Sequence, residues 1–226
     1  ARLAVTLYLP GGGPQPCILE ALPYRKDDLT ASYRPEYTRL RDEFGYALAR
    51  LDVRGTGSSS GRAIDEYQFR EQTDLAEVIA WIAAQPWCDG NVGMYGTSYS
   101  GFNSLQMAAE RAPGLKAVIA IYASDDRFTD DVHLCGGSRR WLDLVDYCHY
   151  VTPMNALPPV PALWGAGWRD EWAARIAEHE PWLFGWLKHT RRDDYWQHGS
   201  IRPAYDDIEC PVPVSYTHLT LPTKRI

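Results

Sequence analysis

The chain has 226 residues, of which 45% are hydrophobic, with a formal net charge of -6 and a pI near 5.5. That supplies apolar material for a sizeable buried core and excludes a disordered chain. No block of lysine or arginine offers the electrostatic footprint of a nucleic-acid or anionic-lipid binder, and no apolar run approaches the ~18 residues of a membrane span. Five scattered cysteines without a C-x-x-C pair predict neither a disulfide framework nor a zinc cage, but reduced thiols in a cytoplasmic setting. The first residues read as mid-strand, so a missing native N-terminus is expected.

Leu3, Val5, Leu7 and Leu9 alternate over residues 1–9 and predict a half-buried strand in an edge hairpin, stopped by Pro10-Gly11-Gly12-Gly13-Pro14. Residues 17–22 predict a second strand, whose end delivers Pro23-Tyr24-Arg25-Lys26 into a loop. A short helix over 36–44 and a third strand over 46–53 follow. That strand runs into Arg54-Gly55-Thr56-Gly57-Ser58-Ser59-Ser60-Gly61, where Asp52 and Arg54 are expected to pair. Leu75, Val78, Ile79 and Ile82 stand at i, i+3, i+4 and i+7, an amphipathic helix that cannot pass Pro86. Residues 116–122 form a β-branched run with almost no polar interruption, as expected of a parallel strand covered on both faces. Strands alternating with helices predict an open α/β sheet.

The most informative stretch is Gly90-Asn91-Val92-Gly93-Met94-Tyr95-Gly96-Thr97-Ser98-Tyr99-Ser100-Gly101. A buried strand over 92–95 stops, turns through Ser98 and continues as a helix ending before Pro113-Gly114. A serine on so sharp a turn requires small residues two before and two or three after it, a demand met by Gly96, Ser100 and Gly101. The glycine stands three residues after the serine, one later than in the common nucleophile-elbow pentapeptide.

From residue 125 to about 205 no strand is predicted, and six of the nine tryptophans fall between Trp164 and Trp196. This reads as a helical cap. Trp168, Trp172 and Ile176 share one helical face, and Leu183, Trp186 and Leu187 another. Most of the tryptophans are expected to pack the lobe against the sheet, and one or two to line a pocket. The predicted organisation is a core over 1–124, a cap over 125–205, a strand re-entering the sheet over 206–214, and a non-native tail over 215–226.

Pro23-Tyr24-Arg25-Lys26, Asp52-Val53-Arg54-Gly55-Thr56-Gly57 and the long run from Gln85-Pro86-Trp87 to Gly101 resemble the CocE/NonD hydrolases. This group holds cocaine esterase, glutaryl-acylase and X-prolyl dipeptidyl-peptidase-like enzymes. Its G-x-S-Y-x-G pattern accounts for the displaced glycine, and the resemblance extends from near residue 1 to about Val214. It implies an α/β-hydrolase fold: a mostly parallel sheet with an inserted helical cap. It also implies Ser98 as nucleophile, with the Tyr24 phenol and the Tyr99 backbone N–H as oxyanion donors. The implied reaction cleaves ester or amide bonds through an acyl-enzyme, needs no metal or organic cofactor, and takes a small-molecule ester, an amide or a short peptide.

The base and its carboxylate are the deficit. In this fold the order is Ser, then Asp or Glu, then His. His133, His149, His179, His189 and His198 all fall in the cap. His218 has the right order behind Asp206 or Asp207, but its segment does not continue the family pattern. Gly167-Trp168-Arg169-Asp170 imitates the family's Gly-Trp-x-Asp segment, yet it precedes a helix. The expectation is a chain lacking its triad Asp and His, with an incomplete sheet and no efficient turnover. One alternative is a non-catalytic relic or binding scaffold. A weaker one is a dinucleotide-binding oxidoreductase built on Gly55-x-Gly57-x-x-x-Gly61, where the glycine spacing is wrong and Asp65 and Glu66 precede the helix. For a peptidase, Asp125, Asp126, Asp130 and Asp131 are candidates to meet a substrate α-amine.

Overall fold

A computed structural model describes residues 1–215, so the tail beyond Ser215 and His218 within it lie outside the described residues. The core elements in chain order are β1 (Val5–Tyr8), β2 (Gln15–Leu22), α1 (Arg34–Phe44), β3 (Ala47–Asp52), α2 (Phe69–Ala83), β4 (Cys88–Thr97), α3 (Tyr99–Ala109) and β5 (Leu115–Ile121). The lobe adds β6 (Leu134–Cys135), β7 (Ser138–Arg139), α4 (Trp141–Ala156), α5 (Pro161–Trp164), α6 (Trp168–Glu178), α7 (Leu183–Lys188) and α8 (Asp194–Gln197), and β8 (Val214–Ser215) closes the series.

Six strands form one sheet in the order β1-β3-β2-β4-β5-β8. All neighbours are parallel except β1, which runs antiparallel to β3. The expected hairpin between the first two strands therefore does not form: the glycine-rich turn carries the chain past β3, which lies between them. Ala21, Ala47 and Ala49 keep the central strands slim, and the core they share with Leu75, Ile79 and Ile82 of α2 and Phe102 and Leu105 of α3 is fully buried. On the opposite face α1 brings Tyr37 against Tyr8 and Leu48.

A buried charge sits in this sheet without strain. Arg50 of β3 meets Glu20 of β2 at 2.9 Å, donates to the Lys26 and Thr30 carbonyls, and lies over the Tyr37 ring. A paired and hydrogen-bonded charge escapes the desolvation cost that an orphan would bear.

Two further expectations are corrected. On β5, Val118 and Ala120 join the core, but Ile119 is 43% exposed, because the cover that α1 gives that face reaches no further than Tyr95 of β4. The cap is not wholly helical either, since β6 and β7 pair as a short antiparallel hairpin around the turn at Gly136 and Gly137. Within the lobe Trp182, Trp186 and Trp196 are buried, whereas Trp172 and Ile176 are exposed at 36% and 55%. The buried residue of α6 is Arg175, whose guanidinium donates to the Gly57 and Ser59 carbonyls and joins the cap to the core loop. No described helix is long and apolar enough to cross a membrane.

Candidate active site

Ser98 stands between β4 and α3 with φ 59° and ψ -121°. This is backbone that a non-glycine residue adopts only when its surroundings enforce it. The enforcement is local. The Ser98 N–H donates to the Ile121 carbonyl at 2.8 Å, a Cβ at Gly96 would overlap the Ser100 side chain, and one at Gly101 would come within 2.8 Å of the Gly96 carbonyl. The small residues around Ser98 thus pack against one another, and the third of them is needed three positions after the serine.

Three polar groups converge here. The Tyr24 hydroxyl donates to Ser98 Oγ at 3.3 Å and accepts the Tyr99 N–H at 3.4 Å. Tyr24 is delivered by the loop after β2, and the Tyr99 N–H is free for this contact because it begins a helix and has no intrahelical acceptor. The start of α3 also carries the positive end of a helix dipole. Burial pushes the Tyr24 pKa up to about 12, only partly offset by its bonds to Ser98 and Tyr99. The phenol therefore stays protonated and able to donate across the neutral range.

Beside these groups lies a cleft of about 410 Å³, within the usual range for small-molecule sites. Its walls include Tyr33, Tyr95, Tyr147 and Tyr150, so tyrosines line it and none of the tryptophans do. Behind Tyr24, Tyr147 approaches both that phenol and the buried Glu66 carboxylate. Burial disfavours a charged Glu66, but His133 at 2.7 Å and Arg127 outweigh this and hold its pKa below the usual range. Burial likewise disfavours the His133 imidazolium, and Glu66 and Asp131 outweigh it, raising that pKa. This buried cluster had no sequence signal, because its members are spread from residue 66 to residue 147.

Among the described residues the one side-chain partner of Ser98 Oγ is Tyr24. Of the five described histidines, three are engaged elsewhere. His133 is held by Glu66, His189 meets Asp193 at 2.6 Å, and His198 Nε2 lies 2.6 Å from the Tyr67 carbonyl. His149 is exposed on α4, and His179 follows α6. Asp170 lies in the first turn of α6. Three of the four acidic cap candidates are also committed, Asp125 to Arg202 and Tyr205, Asp126 to Arg192 and two backbone N–H groups, and Asp131 to the His133 side, while Asp130 is exposed.

The glycine loop after β3 behaves differently from both expectations placed on it. Arg54 pairs with Asp74 at 2.6 Å, while Asp52 turns back to accept the Lys26 and Ser58 N–H groups at 2.9 Å each. A Cβ at Gly57 would overlap the Asp52 carboxylate. The loop is wrapped around its own anion, and no phosphate cradle remains. Among the described residues no group of His, Cys, Asp and Glu could hold a metal ion.

An α/β sheet with a serine on a strained strand-to-helix turn defines an α/β-hydrolase fold. The profile of the X-Pro dipeptidyl-peptidase (S15) family matches residues 1–216, and the chain belongs to that family. A cocaine esterase from Rhodococcus sp. (strain MB1 Bresler) is 38% identical over 142 residues, which cover 61% of this chain and 24% of that protein. Among solved structures, a CocE/NonD family hydrolase from Staphylococcus aureus superposes with a TM-score of 0.69 at 21% identity, covering 92% of this chain and 37% of that one. An aminopeptidase from a marine sediment Thaumarchaeota archaeon gives a TM-score of 0.69 at 20% identity, over 94% and 40% of the two chains. The chain spans about a quarter of the length of the curated relatives it matches.

Proposed function

We propose that the protein is a serine hydrolase that cleaves ester or amide bonds of small molecules or short peptides through an acyl-enzyme. The observation that carries this reading is the convergence of Ser98 Oγ, the Tyr24 hydroxyl and the Tyr99 N–H within 3.3 and 3.4 Å. Ser98 Oγ attacks the substrate carbonyl carbon, and the carbonyl oxygen takes the negative charge between Tyr24 and Tyr99. The tetrahedral species collapses as the leaving group departs with a proton, and water then releases the acid and restores the hydroxyl. The Oγ proton goes to a base that none of the described histidines supplies, so the base and its orienting carboxylate come from outside the described residues.

The relative named as a cocaine esterase shares this acyl chemistry. The tyrosine-lined cleft favours a flat apolar acyl or leaving group over a highly charged one. The test is covalent trapping. Incubation with a fluorophosphonate, followed by intact mass and peptide mapping, is expected to yield one adduct on Ser98, absent in Ser98→Ala. An adduct on another residue would favour a binding scaffold instead, as would the absence of an adduct in a longer protein that carries the base and its carboxylate.

A further inference from the structure

Glu71 is a buried acid that the reaction outlined above does not use. It lies in the first turn of α2 and is 6% exposed; among the described residues it has no basic partner, its Oε2 accepts the Tyr99 hydroxyl at 2.8 Å, and its Oε1 has no hydrogen-bond partner. A carboxyl so buried and half-satisfied is costly unless it holds something in return. What it holds is the side chain of the residue whose N–H faces Ser98 and Tyr24.

The Tyr99 hydroxyl is gripped from two sides. It donates to Glu71 and accepts the Tyr67 N–H at 3.1 Å. To aim that N–H, Tyr67 adopts φ 51°, a left-handed conformation that an aromatic residue rarely takes. The Tyr67 ring then covers Tyr99 with centroids 4.3 Å apart and stacks on Phe102 at 4.6 Å, so Tyr99 cannot turn about its own axis. Two features that would cost stability by themselves, a buried acid and a strained tyrosine, thus converge on one hydroxyl.

We propose that Glu71 is a positioning residue of the oxyanion pocket, acting through the Tyr99 side chain to hold the Tyr99 N–H in register with Ser98 Oγ and the Tyr24 hydroxyl. This rests on the nucleophile reading of Ser98. The charged groups that act most on Glu71 are acidic: Glu66 and Asp65 from the loop before α2, and Asp74 from α2 itself, of which Glu66 is paired with His133 and Arg127 and Asp74 with Arg54 and Arg70. Burial first, and then these neighbours, push its pKa up to about 8 against the pull of the Tyr99 bond. In neutral solution Glu71 is therefore mainly a neutral carboxylic acid, able to accept from Tyr99 without adding a negative charge behind the site where an oxyanion forms.

The test compares Glu71→Ala, Glu71→Gln and Tyr99→Phe in the full chain. The maximal rate and the half-saturating concentration of fluorophosphonate labelling at Ser98 are measured together with thermal unfolding. Glu71→Ala and Tyr99→Phe are expected to slow the maximal rate about 10-fold or more while half-saturation stays put. Glu71→Gln, which keeps an acceptor and the shape, is expected to stay within about threefold of the parent. Equal rates in Glu71→Ala and the parent, or a loss in Glu71→Gln as large as in Glu71→Ala, would overturn the proposal. A second readout does not use Ser98 chemistry: the 15N–1H resonance of the Tyr99 amide is expected to titrate with a midpoint near 8 in the parent and not in Glu71→Gln. A Tyr99 amide that does not titrate in the parent overturns the coupling. If the amide titrates and the parent does not label at Ser98, the nucleophile reading fails on its own.

Discussion

Two glycine-rich turns leave the ends of β3 and β4, parallel strands separated by β2, and they do opposite things with their backbone N–H groups. After β3, the loop over 54–61 spends its donors internally. Gly55 donates to Ser60, Thr56 to Val53, Ser58 to the Asp52 carboxylate, Ser59 to Thr56, and Ser60 to Arg2. After β4, the turn over 96–101 ties the Ser98 N–H to Ile121 and leaves the Tyr99 N–H facing a hydroxyl at the edge of a cleft. Glycine content alone does not make an anion site. What counts is whether the released donors close on the protein's own acceptors or on space that a ligand can enter.

The largest expected effect falls on the open turn. Ser98→Ala should abolish covalent labelling, a drop of about 10³-fold or more, with the melting temperature little changed. Tyr24→Phe keeps the ring and removes one donor, so acylation of Ser98 should slow by about 10²-fold in stopped-flow or mass-resolved kinetics. Labelling that survives Tyr24→Phe at the parent rate would break the claim that this turn faces an oxyanion.

The closed turn should respond in stability instead. Gly57→Ala combines a positive φ of 47° with overlap on the Asp52 carboxylate, and should cost about 2 kcal/mol or more, lowering the melting temperature by several degrees. Calorimetry checks this, and an unchanged melting temperature would mean that the loop does not depend on its buried anion. Titration with NADH should give no fluorescence change, the smallest effect of the set, since five of the loop's N–H groups already close on protein acceptors.

A pH experiment sharpens the comparison from beneath the open turn. Glu71 has its folded pKa raised to about 8, above its value in an unfolded chain, so between those values the folded state holds the extra proton. Its contribution is therefore fully present below the unfolded pKa and is lost as the pH rises through about 8. Glu71→Gln, which cannot ionise, should melt close to the parent near pH 5 and above it near pH 9, where the parent has to carry a buried carboxylate. A melting-temperature difference independent of pH would remove the buried acid from the account.

Much of the core was legible because its signals are local. The run from Val92 to Gly101 carries its own strand, turn and helix, and the closest contacts that demand small residues are between Gly96 and Ser100 and between Gly101 and Gly96. The resemblance supplied Tyr24, which lies 74 positions from Ser98 and has no local mark of its role. Other features were misjudged because they depend on partners distant in sequence. Arg54 had a near acid in Asp52, yet Lys26 and Ser58 captured that carboxylate and left Arg54 to Asp74. The helical periodicity of Trp168, Trp172 and Ile176 was real, but that face stays open while Arg175 turns inward to satisfy loop carbonyls.

By itself, then, the sequence determined the alternation of strands and helices and the strained serine turn, since hydrophobic periodicity and steric crowding act over a few residues. Only the tertiary structure decided the strand order that separates β1 from β2, the fate of each loop donor, and the grip of Glu71 and Tyr67 on Tyr99. Hydrogen-bond satisfaction of a buried group depends on which distant groups the fold brings within 3 Å or so, and no spacing along the chain encodes that.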